Sequence, residues 1–243
     1  DCIFLDPARR NEHGGKTVAI SDCEPNVAEL EGLLLSKANR IMIKLSPMLD
    51  LSQALKELPH TQEVHIISVN NECKELLLLL GQTAPEEIPV HCVNLSTKGE
   101  QEKQLFVFTR EQEQHSECSY TDTLGNYLYE PNASLLKAGA FRSIAVAYSV
   151  KKLHPNSHLY TSETQIEGFP GRTFRIINRC SLNKKEIKEN LSDLKKANIT
   201  VRNFPATVAE LRKRIKLAEG GDTYLFASTL NDGQKILIRC GKV

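Results

Sequence analysis

At 243 residues the chain exceeds the commonest single-domain size, so two or three compact units are expected. Hydrophobic residues at 40% and charged residues at 25% are ordinary globular values, which excludes a disordered or fibrous chain. The net charge of +1 conceals an imbalance: residues 1–150 carry 13 Lys+Arg against 21 Asp+Glu, residues 151–243 carry 18 against 9, and such a basic segment points to a polyanion, usually nucleic acid.

In chain order, "CIFLD" reads as a strand from Cys2, "EPNVAELEGLLLSKA" as a helix with Leu30, Leu33 and Leu34 in helical spacing, and "RIMIKL" as a second strand. "DLSQALKEL" is predicted as a helix capped by Asp50, and "EVHIISV" as a strand. "NNECKELLLLLG" is predicted as a short helix that Asn70 or Asn71 caps and Gly81 ends. "PVHCVNL" and "QLFVFT" close this part as a hairpin. The alternation predicts an α/β layer with a largely parallel sheet. A polar linker is expected over residues 110–119, and after it a short extended piece, a helix whose first turn holds Pro131 and Asn132, and the strand "HLYTS". The last segment reads strand, helix, strand, helix, strand, strand from "TFRIINRC" to "KILIRCG". The longest apolar run, Leu76 to Leu80, falls far short of the roughly 20 residues of a membrane span. With no signal peptide, a cytoplasmic protein is expected. The seven cysteines are widely spaced without a C-x-x-C pair, so free thiols are expected.

Ligands of open α/β sheets bind beyond the carboxyl ends of strands, which gives weight to Asp6 and Pro7. The carboxylate and backbone carbonyl there could accept hydrogen bonds from a substrate amine, while proline fixes the turn and adds no competing N–H. The alternative is a plain strand-to-loop turn. Ser46 and Pro47 leave the next strand in the same way, so two X-Pro turns would share one rim. Asn70, Asn71, Glu72 and Lys74 gather polar groups at a third strand end. Arg9 and Arg10 suit a phosphate, as planar guanidinium groups that grip it in bidentate fashion, or are an ordinary surface pair.

"FLDPARR", "DCEP", "KLSPMLD", "NECKELLL", "YLYEPNASLLKAG", "KLHPNSHLYTS", "FPGRTF" and "LRKRIKLAEGGDTYLF" together resemble a Bacteroidetes family of class I S-adenosylmethionine-dependent methyltransferases with a THUMP-like carboxy-terminal domain. The resemblance implies half of a Rossmann-like sheet over residues 1–112, a linker and ferredoxin-like segment over 113–168, and a THUMP-like domain over 169–243. It gives Asp6 and Pro7 the place of the acceptor-positioning motif, which in related enzymes is Asp-Pro-Pro or Asn-Pro-Pro. The aromatic residue that often ends that motif is replaced here by Ala8 and Arg9, which weighs against base N-methylation. The family's Gly-rich cofactor loop has no counterpart, the chain containing no G-x-G. The expectation is therefore a piece of a longer protein, inert alone, whose S-adenosylmethionine-binding residues precede Asp1. The partner implied is RNA, transfer or ribosomal, and an exposed first strand could pair with a second copy.

In "TVAELRKRIKL" the residues Val208, Leu211 and Ile215 form one buried stripe, with Arg212, Lys213 and Lys216 on the opposing surface. With Arg172 and Arg202 they make a positive surface that would bind RNA phosphates in a salt-dependent way. A solvated helix face is the alternative. His154 and His158 sit four apart, but Pro155 between them argues against a helix, and no metal is assigned. The rival to the enzyme reading is a non-catalytic RNA-binding or assembly module.

Overall fold

A computed structural model describes residues 1–9, 19–97 and 103–243, which divide into two compact units. Among the described residues no helix is long and apolar enough to cross a membrane.

The first unit spans residues 1–115 and 132–140. Its elements are β1 (Cys2–Leu5), β2 (Ala8–Arg9), β3 (Cys23–Glu24), α1 (Val27–Lys37), β4 (Arg40–Leu45), α2 (Leu51–Glu57), β5 (Thr61–Val69), β6 (Glu72–Leu80), β7 (Pro89–Leu95), β8 (Lys103–Thr109), α3 (Arg110–His115) and α4 (Ala133–Ala138). Six strands form one sheet in the order β1-β4-β6-β5-β7-β8. The sheet expected to be largely parallel is instead mixed: β1–β4 and β5–β7 run parallel and β8 lies antiparallel to β7 as the expected hairpin, but β6 lies antiparallel between β4 and β5.

The predicted helix at residues 70–81 is strand β6. Asn70 and Asn71 adopt φ of 50° and 64°, the left-handed pair that a two-residue hairpin turn requires, and they reverse β5 into β6 rather than capping a helix. Leu76, Leu78 and Leu80 are then fully buried while Leu77 and Leu79 are half-exposed, an alternation only a strand can produce. An unbroken leucine run satisfies strand and helix patterns alike, so periodicity could not separate them. The predicted linker likewise begins as α3, and Asn132 is the N-cap of α4 rather than part of its first turn, its Oδ1 accepting from the Leu135 amide.

One sheet face, with Ile41, Ile43, Val64, Ile66, Leu76 and Leu78, is buried, and α4 packs against β5, β6 and β7. Helix α1 occupies the predicted span but buries Val27 and Glu31, leaving Leu33 57% exposed. Asp50 caps α2 as expected, accepting from the Gln53 amide at 2.9 Å.

The second unit spans residues 116–131 and 141–243, with β9 (Tyr127–Pro131), α5 (Ser143–Ala147), β10 (Lys151–Lys152), β11 (Tyr160–Ser162), β12 (Gly171–Cys180), α6 (Lys184–Leu191), β13 (Asn198–Arg202), α7 (Val208–Ile215), β14 (Thr223–Thr229) and β15 (Lys235–Lys242). The sheet order is β10-β11-β9-β12-β15-β14-β13, antiparallel throughout except for β13 beside β14. Alternate residues of its central strands enter two cores: Phe226, Ile236 and Ile238 join Leu128 and Phe174 on one face, while Leu225, Ala227 and Leu237 join Leu191 and Leu211 of the two helices on the other. Thr207 and Glu210 close a reciprocal capping box at the start of α7.

Candidate functional site

Because β1 and β4 are parallel neighbours in register, Leu5 opposite Ile43, both X-Pro turns leave the sheet at the same end. Asp6 and Lys44 fall next to each other on one face, and their side chains meet, Nζ to Oδ2, at 2.5 Å. That hydrogen bond, helped by the charges of Asp6 and Glu75 and opposed by burial, raises the Lys44 pKa. Pro7 is buried, and past it β2 pairs with β3, Ala8 opposite Glu24, so that "DPAR" and "DCEP" are spatial neighbours. Ser46 turns the second exit, its Oγ accepting from the Met48 amide at 3.2 Å. A cavity of about 170 Å³ opens here, lined by Asp6, Pro7, Lys44, Ser46, Lys74 and Glu75 among others. The antiparallel course of β6 brings in the last two. The Asp6 and Glu75 carboxylates offer acceptors to a donor such as an amine or hydroxyl, and Lys44, Lys74 and Ser46 place donors beside them.

Of the predicted rim residues, Lys74 lines the cavity and pairs with Glu72 at 2.7 Å. Asn70 and Asn71 serve elsewhere: Asn70 hydrogen-bonds Thr97, and Asn71 Oδ1 accepts from the Ala133 amide. Arg9 is described only as backbone within β2, and Arg10 lies outside the described residues.

In the second unit the predicted basic residues separate into two groups. Arg172 and Arg202 turn to Glu130, whose side chain is 2% exposed. Arg172 Nε donates to Oε2 at 2.9 Å, Arg202 donates to Oε1 at 2.8 Å, and Arg172 also lies over the Phe174 ring. Arg202 stands four strands from Glu130 in the sheet order, so the sheet must curl to bring them together. A Cβ at Gly171 would collide with the Glu130 carbonyl, which is why the strand beside the carboxylate opens on glycine. On α7, Arg212 bends inward towards the Ala197 carbonyl and Glu219, whereas Lys213 and, at the left-handed C-cap just past the helix, Lys216 are exposed. Sequence reasoning passed over Lys184, Lys185 and Lys188, which stand exposed on α6. Their helix packs on the same core as α7, so both cover one side of the sheet, with Lys185 4.0 Å from Glu189; the signal available was the lysine spacing in "NKKEIKENL".

A family model for a ferredoxin-like domain matches residues 127–170, and one for a THUMP domain-like domain matches residues 171–242. Residues 127–242 are thus similar to these two domain families in turn. The whole chain is also similar to a protein from Porphyromonas gingivalis W83 whose crystal structure is named a "putative methyltransferase", at 41% identity and a TM-score of 0.90. The match covers 100% of this chain and 60% of that one, so the chain spans less than two thirds of that protein's length. No curated protein matches the chain. The second unit's curled sheet therefore carries the ferredoxin-like strands β9 and β11 continuing into the THUMP-like strands β12 to β15, and the buried Glu130 is held by arginines of the latter.

Proposed function

We propose that the chain is the carboxy-terminal part of an S-adenosylmethionine-dependent RNA methyltransferase, in which the rim at Asp6 and Pro7 positions the acceptor and the lysines of α6 and α7 present RNA. The observation that carries this reading is the Asp-Pro turn beside the Ser-Pro turn at one end of a sheet, in a chain 41% identical to a protein named as a methyltransferase and bearing a THUMP-like domain. The cavity's 170 Å³ is below the roughly 300–1,000 Å³ of small-molecule sites. With no G-x-G loop to approach a cofactor, the residues of this chain do not fit S-adenosylmethionine unaided. They supply the acceptor side of the site, and the methyl donor belongs to the rest of the protein. Phe4, 58% exposed on the edge strand β1, and the exposed Leu33 of α1 favour a further covering segment, from the same protein or from a second copy.

The reading is tested by titrating the chain with labelled transfer RNA, ribosomal RNA fragments and duplex DNA at several salt concentrations. RNA-selective binding that weakens steeply with salt is expected. Absence of RNA binding at low salt would remove the presenting role of α6 and α7. In the whole protein Asp6→Ala is expected to lower turnover by about 100-fold through misplacement of the acceptor; unchanged turnover would leave the non-catalytic RNA-binding module as the better reading.

A further inference from the structure

His65 and His91 lie directly opposite each other on the parallel strands β5 and β7, so their side chains rise from the same face of the first unit's sheet. Their rings stack at 4.4 Å between centroids with 9° between planes. Two positions before His65, and therefore on that same face, stands Glu63. Its Oε2 is 3.1 Å from His65 Nε2 and 3.9 Å from His91 Nε2. All three ligand atoms lie within 4.8 Å of one another, and the side chains are 27%, 25% and 45% exposed for His65, His91 and Glu63. Two ring nitrogens thus converge on one carboxylate oxygen at the sheet surface, within reach of solvent.

We propose that Glu63, His65 and His91 form a binding site for a divalent transition-metal ion of the zinc class. Imidazole and carboxylate together suit Zn²⁺ and its late first-row neighbours, and three protein ligands leave a position for water. Bonds of about 2.0–2.2 Å to a tetrahedral centre require donor atoms roughly 3.3 Å apart. The Glu63–His65 separation of 3.1 Å is close to this, and the His91 ring needs to tilt out of the stack so that its Nε2 lone pair points, with that of His65, at a common centre beside the carboxylate. The strands fix the Cα positions, so the adjustment is confined to side-chain torsions. No motif announces this site in the sequence, because its halves are 26 residues apart and meet only through the register of β5 with β7. It is independent of the methyltransferase reading, since it lies on strands that contribute nothing to the cavity at Asp6.

The test is calorimetric titration of the full chain with Zn²⁺, together with the visible absorption of the Co²⁺-loaded chain. One equivalent is expected to bind, with visible bands of tetrahedral Co²⁺ and a rise in the thermal midpoint on adding Zn²⁺. The double variants His65→Ala/His91→Ala and His65→Gln/His91→Gln are expected to weaken binding by at least about 100-fold, the upper end of what loss of a mere supporting group costs. The glutamine pair keeps side-chain volume, and the metal-free thermal midpoint of each variant reports whether it has folded. Absence of the Co²⁺ bands from the unaltered chain would overturn the proposal. So would Zn²⁺ affinity retained within threefold in a folded double variant, as binding to the free cysteines would give.

Discussion

Glu130 shows how a single residue can be indispensable without touching a substrate. Its carboxylate is almost wholly buried and shared by Arg172 and Arg202, whose side chains are 42% and 36% exposed, so removing it leaves two partly solvated guanidinium groups beside each other without their common acceptor. Glu130→Ala is expected to destabilise the protein by about 1.5–3 kcal/mol, measured by urea unfolding; a loss below 1 kcal/mol would mean that water replaces the carboxylate at little cost. His158 sits in the same neighbourhood, its ring stacked on Phe141 at 3.6 Å. Burial first, then the charges of Lys152 and Arg202, push its pKa down to about 4 from the usual 6.5. Between those two values the unfolded chain takes up a proton that the folded chain refuses, so stability falls as pH drops through this window. The loss should be on the order of 2 kcal/mol by pH 4. Urea midpoints measured at neutral pH and near pH 5 should diverge less in His158→Gln; equal divergence would assign the acid sensitivity to other groups.

At the scale of elements, the β5–β6 hairpin separates what local pattern can and cannot specify. Helices α1, α2, α6 and α7 and the longer strands other than β6 are where hydrophobic spacing and caps place them. The leucine run failed because its neighbours, not its own spacing, decide its conformation: with β4 on one side and β5 on the other, it is stabilised as a central strand. Leu78→Ala, emptying a fully buried site, should cost about 2–5 kcal/mol, and Leu77→Ala on the half-exposed face clearly less. Equal costs would contradict the strand alternation. The core strands also protect their thiols. Burial raises Cys180 to about 11, helped by Glu186, and Cys240 to about 12, while Cys2 is exposed. Alkylation of the native protein near pH 8, followed by mass spectrometry, should label Cys2 and spare Cys180 and Cys240 until denaturant is added.

For the molecule as a whole, charge is distributed unevenly for a reason visible in the fold. The THUMP-like region places Lys213 on α7, Lys216 at its C-cap, and Lys184, Lys185 and Lys188 on α6, all exposed, while its arginines at 172 and 202 are occupied with Glu130. The salt dependence of RNA binding should therefore follow the lysines: Lys213→Gln/Lys216→Gln should lower the slope of log affinity against log salt by about 2. An unchanged slope would show that RNA, if bound, uses another surface.

Composition, periodicity and capping residues determined most elements, the charge imbalance and the Asp6-Pro7 and Ser46-Pro47 turns, because each depends on neighbours within a few positions of the chain. Only the tertiary structure decided that Asp6 meets Lys44, that Glu130 meets Arg202, and that His65 stacks on His91. Those pairs are brought together by strand order and register, which are set by the competition among whole strands for shared cores and leave no local trace in the sequence.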